Sequence, residues 1–266
     1  MVKPNIILIV IDTLRADHLG CYGYFRDTSP TIDRLARGGV LFSNMHATAV
    51  ATGPAFTSII TGLYPIHHHC YMTPHNLFNL FNIDDRIHTF PETVWGKGYV
   101  TCALDGLFSF ASPMKQMVSG FEYYINYCLS PEMRRKSYFV RKKTSESAHG
   151  FLGHKPAEVP GEVINERLLP WIKEHKKEPF FLFVHYWEPH APYNQPERFR
   201  KIFHHKKGNL SDLGVKKAKA GYEYVPGWGR VGELWEEERE NLSIDLYDGE
   251  IRYVDTLIRE VLQTLE

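Results

Sequence analysis

The run Ile6-Ile-Leu-Ile-Val-Ile11 stands directly before Asp12-Thr13, and five of its six residues are β-branched. It is far shorter than the roughly 20 apolar residues that cross a bilayer, and no small-residue cleavage site follows it. A short, unbroken apolar run predicts a strand covered on both faces, the pattern of a central parallel strand in an α/β sheet. Ligands of such sheets bind outside the carboxyl ends of the strands, so Asp12 is carried to the edge where a site is expected.

A second run of the same kind, Phe180-Phe-Leu-Phe-Val184, leads into His185-Tyr-Trp-Glu-Pro-His190. Between the two, Thr31 to Gly38 reads as a short helix closed by Gly38-Gly39, and Val40 to Phe42 as a strand. Ala55 to Thr61 reads as a helix stopped by Gly62, and Gly98 to Leu104 as a further strand. From Ser243 to Glu266, Ile244, Tyr247, Ile251, Val254, Ile258 and Leu262 recur at helical spacing. The order predicts one α/β domain over residues 1–266, a central mostly parallel sheet with helices on both faces. Residues 129–160 and 204–233, rich in Gly, Lys, Arg and Ser, are expected to be excursions from it. No repeat of solenoid period is found.

Charge narrows the function. Lys and Arg total 31 against 31 Asp and Glu, a formal charge of zero. Nucleic-acid binding draws on a basic surplus that this chain lacks. The hydrophobic content of 43% excludes a largely disordered chain. Cys21, Cys70, Cys102 and Cys128 show no C-x-x-C pairing, which argues against a zinc ribbon or disulfide framework. Unpaired thiols and the lack of a targeting segment make the cytoplasm the expected compartment and a membrane partner unexpected.

Asp12 at a strand end could bind a metal, cap a helix or pair with Arg15. In Ala51-Thr-Gly-Pro-Ala-Phe56, Thr52 is expected near a helix N-cap with Pro54 in the first turn. It is either a plain cap or a nucleophile facing an anion held by exposed N–H groups. His67-His-His69 is expected to be a surface run, because consecutive residues do not converge on a metal. Asp84-Asp85 is expected in a solvated turn, and Trp187 and Tyr193, which flank His190, either line its pocket or pack as aromatics at the strand end.

Five ordered blocks then carry a resemblance. Asn5 to Gly23, Thr28 to Ala36, Thr61-Gly-Leu-Tyr-Pro65, Phe183 to Tyr193 and Tyr247 to Asp255 are similar, in order, to blocks of the sulfatase family within the alkaline phosphatase superfamily. The resemblance implies an alkaline-phosphatase-like α/β sandwich whose divalent metal (Ca2+, Mg2+ or Mn2+) sits at the strand ends. By position, Asp12 and Thr52 resemble metal ligands, Thr52 also the nucleophile, and His190 the histidine that contacts the transferring group. His185 resembles a weaker candidate for substrate binding.

The departures are as informative. Many relatives carry Cys-x-Pro-x-Arg, whose cysteine becomes formylglycine, whereas this chain has Thr52-Gly-Pro-Ala-Phe56. Threonine cannot be converted, and Phe56 replaces the orienting arginine. Thr13 stands where many relatives have a second metal-binding aspartate, and Leu104-Asp-Gly-Leu-Phe108 replaces Gly-Lys-Trp-His. A plain hydroxyl points toward displacement of a sulfate or phosphate ester through a covalent intermediate, later hydrolysed.

The Asp-His-Gly segment that supplies further metal ligands in relatives is absent from the 266 residues. The sequence is therefore expected to lack the C-terminal strands and to need a complementing fragment or an oligomer. The expected partner is a small-molecule or glycan sulfate or phosphate ester. The alternatives are a non-catalytic binding fragment and a phosphoalcohol transferase.

Overall fold

The computed structural model describes residues 3–71, 86–106, 119–126, 139–140, 160–191, 193, 195–204, 216–217, 223–224 and 236–266. In chain order these form β1 (Ile6–Ile11), α1 (Pro30–Gly38), α2 (Thr52–Thr61), α3 (Pro65–His68), α4 (Phe90–Trp95), β2 (Val100–Asp105) and β3 (Tyr123–Asn126). There follow β4 (Phe139–Val140), α5 (Gly161–His175), β5 (Phe180–Tyr186), α6 (Glu197–Phe203), β6 (Lys216–Lys217), β7 (Glu223–Tyr224) and α7 (Glu236–Leu265). The chain divides into two compact units, each assembled from separated segments. The first comprises residues 1–10, 44–187 and 265; the second comprises 11–43, 188–264 and 266.

The first unit holds a five-stranded sheet of order β1-β5-β2-β3-β4. β2 runs parallel to β3 and to β5, and β4 is antiparallel to β3, so the α/β reading of the sequence is met. β5 is buried along its whole length, as its unbroken apolar run predicts. Alternate side chains of a strand face opposite ways. On one face, Phe181 and Phe183 join Phe56 and Ile60 of α2, Val94 of α4 and Phe121 in a core against which Ile6, Leu8 and Val10 pack. On the other, the ring of Phe180 meets Trp171 of α5 at 5.5 Å, and the Tyr186 hydroxyl donates to Asn165 Oδ1 at 2.6 Å. Helices thus cover both faces.

α2 begins three residues earlier than its apolar spacing suggests and ends where the sequence places it. Gly62, at φ +70°, closes it with an N–H bond to the Ser58 carbonyl. α4 starts on a capping box: Thr89 accepts the Glu92 N–H while the Glu92 carboxylate accepts the Thr89 N–H.

The second unit is built around α7. Asp255, on this helix, accepts the N–H groups of Thr31 and Ile32 at 2.9 Å each and so caps α1, whose own preceding residue Ser29 makes no side-chain cap. Leu19, Tyr247 and Ile251 form a small core with Leu14, Cys21, Ile32 and Tyr193. A Cβ on Gly249 would sit 2.7 Å from Gln195 Nε2 and 3.0 Å from the Phe199 carbonyl, so glycine lets this part of α7 approach its neighbours.

Two element expectations are corrected. β1, expected as a central strand covered on both faces, stands at the end of the described sheet and is only partly buried, because β5 is its one neighbour there. Val40 to Phe42 is irregular rather than a strand, and Val40 and Phe42 are 80% and 63% exposed. Its β-forming residues have no ladder partner among the described residues, and propensity alone does not make a strand. The expected excursions at 129–160 and 204–233 lie mostly outside the described residues, as do Asp84-Asp85 and Cys128. Among the described residues no helix is long and apolar enough to cross a membrane.

Candidate functional site

Thr52 is the first residue of α2, preceded by Ala51 in an extended conformation as N-cap. The plain-cap reading of Thr52 therefore does not hold: Ala51 occupies that position, with no side-chain cap bond. Pro54 costs the first turn nothing, because N–H groups there have no partner within the helix. The remaining N–H groups of that turn carry the positive end of the helix dipole, an environment that favours an anion beside the Thr52 hydroxyl.

Phe56 lies one turn further on. It is buried at 5% exposure, 5.9 Å from the Phe183 ring and 4.6 Å edge-on from the imidazole of His185. Where many relatives are expected to aim an arginine, this chain has an aromatic wedge. His185 is fully buried, and its Nδ1 lies 2.8 Å from Asp105 Oδ1. Asp105 and His185 are register partners on adjacent parallel strands, and the other oxygen of Asp105 accepts the Tyr124 hydroxyl at 2.8 Å. The sequence singles out His185 but not Asp105. No local pattern joins residues 80 apart; the strand register does.

The same unit corrects the reading of the histidine run. His68 is wholly buried, with Nε2 at 3.0 Å from Ser58 Oγ, while its Nδ1 accepts the Cys70 N–H at 3.1 Å. That bond leaves the proton on Nε2, so neutral His68 donates to Ser58 and cannot serve as its base. Burial holds the His68 pKa below its ordinary value. His67 and His69 are exposed as expected.

In the second unit, Asp12 is 8% exposed immediately after β1. Thr13 has φ +53°, a left-handed conformation that a β-branched residue rarely adopts. The Tyr247 hydroxyl fastens this turn, donating to the Thr13 carbonyl at 2.7 Å and accepting the Arg15 N–H at 2.9 Å. Arg15 pairs with Asp17 through both of its guanidinium contacts, which disposes of the Asp12–Arg15 pairing as the reason for an arginine there. His190 is partly buried and follows a cis Glu188–Pro189 bond. Its Nδ1 donates to the Ala191 carbonyl at 2.6 Å, which leaves the acceptor lone pair on Nε2. Tyr193 packs on Tyr247 with ring centroids 6.2 Å apart.

Thr52 and His185 belong to the first unit, Asp12 and His190 to the second. Among the described residues no group of three or more His, Cys, Asp or Glu is placed to hold a metal ion. A hard divalent cation takes about six oxygens, so the described residues do not by themselves fit one.

The fold places the chain in the alkaline-phosphatase-like α/β class. It superposes on the phosphonate monoester hydrolase of Agrobacterium radiobacter with a TM-score of 0.67 at 21% identity, covering 99% of this chain and 59% of that one. The Sulfatase family model matches residues 4–266, and the chain belongs to that family. It is 27% identical to mouse iduronate 2-sulfatase over 98% of its own length and 51% of that protein's. It is 28% identical to the multifunctional alkaline phosphatase superfamily protein PehA of Trinickia caryophylli, over 73% of this chain and 43% of that protein. The chain spans about half the length of the curated relatives it matches over most of its residues.

Proposed function

We propose that this chain serves the hydrolysis of sulfate, phosphate or phosphonate esters, with Thr52 as the nucleophile. The observation that carries the reading is the hydroxyl of Thr52 on the first residue of α2, in a chain of the sulfatase family. The Thr52 oxygen attacks the sulfur or phosphorus atom in line. A new Thr–O bond forms as the ester bond to the leaving oxygen breaks, and the threonine proton passes to solvent. The N–H groups of the first turn stabilise charge on the non-bridging oxygens. His190, taking a proton from solvent on its Nε2 lone pair, donates it to the transferring anion or to the leaving oxygen. Water then displaces threonine from the intermediate.

Dependence on a divalent cation is carried over from the family alone. Asp12 and Thr52 are the residues this chain offers toward it, and no step above runs through a metal. The substrate class is a small-molecule or glycan ester, in keeping with the sugar sulfates named for iduronate 2-sulfatase and the N-acetylglucosamine-6-O-sulfatase of Bacteroides thetaiotaomicron.

The test is turnover of aryl sulfate, phosphate monoester and phosphonate monoester by the parent protein and by Thr52→Ala, with and without chelator. Loss of at least 1,000-fold on Thr52→Ala, on the order of removing a nucleophile, supports the reading. Undiminished turnover by the folded variant refutes the role of Thr52. Ester binding with no turnover by the parent would favour a non-catalytic relative.

A further inference from the structure

We infer that Asp105 and His185 form a positioning pair that fixes the Thr52-bearing turn of α2 through Phe56. The inference rests on the role given to Thr52 and gives Asp105 and His185 a supporting role that the family resemblance does not assign.

Asp105 stands at the last position of β2, in register with His185 of β5. Its carboxylate accepts the Tyr124 hydroxyl on Oδ2 and lies 2.8 Å from His185 Nδ1 through Oδ1. A carboxylate only accepts, so Nδ1 carries the proton and the plane of the imidazole is set by Asp105. Both residues are almost fully buried, at 2% and 0% exposure, where a charged hydrogen bond is directional and costly to break. The fixed ring meets Phe56 at a centroid distance of 4.6 Å and an interplanar angle of 79°.

Phe56 is four residues after Thr52 and so lies on the same face of α2. Helical side chains lean toward the N-terminus, which brings the contact with His185 under the first turn rather than the middle of the helix. Contacts therefore run from a sheet-anchored carboxylate, through an oriented ring, to an aromatic wedge one helical turn from the residue proposed to attack. A relative with an arginine in place of Phe56 would have no use for this support.

The prediction concerns orientation, so it is read as a split between kcat and KM. Asp105→Ala should lower kcat by about 100-fold with KM within about threefold, on the order expected for a misplaced reacting group. Asp105→Asn keeps the volume and guards against misfolding. It has one acceptor oxygen for two donors and should lose about tenfold in kcat. Because Asp105 acts through Phe56, the losses of Asp105→Asn and Phe56→Leu should not multiply in the double variant. Hydrogen exchange gives a readout independent of turnover: both Asp105 variants should speed exchange in peptides covering residues 51–60 while leaving residues 161–175 protected.

Unchanged kcat in both Asp105 variants, multiplicative losses, or faster exchange spread evenly over the unit would each overturn the inference. If Thr52→Ala keeps full turnover, the nucleophile reading falls separately, and local exchange over residues 51–60 still decides whether the pair supports that turn.

Discussion

Asp255 accepts the backbone N–H of Thr31 across 224 residues of sequence, so the last helix of the chain caps one of its first. The block Tyr247 to Asp255 is thereby a structural clamp as well as a family signature. Asp255→Ala leaves the N–H groups of Thr31 and Ile32 without this acceptor and should destabilise the second unit by about 2 kcal/mol, the scale of a lost helix cap. Burial raises the Asp255 pKa despite the N–H bonds that lower it. The folded state therefore binds the proton more readily than the unfolded state. The contribution of this group to stability should rise as pH falls through the folded-state pKa and be complete below the ordinary value of 3.8, and Asp255→Asn should remove that trend. Chemical denaturation at several pH values measures both effects.

His68 has the opposite sign. Its pKa is lowered in the folded protein by burial, so the unfolded state binds the proton first. Stability from this group is complete above the ordinary histidine value of 6.5 and is lost as pH falls from there toward the folded-state value. His68→Gln should flatten the stability of the first unit over that window. A slope that persists unchanged in the variant would show that another group governs it.

Asp248 is wholly buried and serves three partners: His18 Nδ1 at 2.7 Å, the Tyr24 hydroxyl at 2.7 Å, and Arg26, which donates at 2.7 Å and also reaches Asp245. Removing it takes the acceptor from the Tyr24 hydroxyl and one of two carboxylates from Arg26, which keeps Asp245. Asp248→Ala should cost about 1 to 3 kcal/mol, as for donors left without their acceptor. The double variant with Arg26→Met should recover part of this loss. Thermal and urea melts of the three proteins test the coupling.

Tyr247→Phe keeps the ring that packs on Leu19 and Ile251 and removes only the hydroxyl that holds Thr13 and Arg15. The left-handed Thr13 then loses a restraint. The expected stability loss is about 1 to 2 kcal/mol. Urea melts of the parent and the variant measure it, and coincident midpoints would show that the hydroxyl bonds add nothing.

Much of this fold is legible in the sequence. β5 is declared by an unbroken apolar run, α7 by its spacing, and the end of α2 by Gly62, because local pattern and burial agree there; the like run of β1 marks a strand but not its place, since β1 ends the sheet and is only partly buried. Val40 to Phe42 misled, since a strand needs a partner that three β-forming residues cannot supply. His68 was hidden in a run of like residues, and only the packing of α2 distinguishes it from its exposed neighbours. Asp105 carried no local signal at all. Its meaning arises from strand register, which links distant segments and has no counterpart in short-range sequence.

The interleaving of the two units has a consequence for how the protein is made. Neither unit can close on the segments that leave the ribosome first, because β1 waits for β5 and α1 waits for Asp255. At about 5 to 20 residues per second, the 224 residues between Thr31 and Asp255 take about 10 to 45 s to emerge. The apolar strand Ile6–Ile11 likewise has no neighbour in the sheet until β5, Phe180–Tyr186, has emerged. A nascent chain of this design depends on chaperone shelter early in its synthesis, and slowing translation should lower its soluble yield.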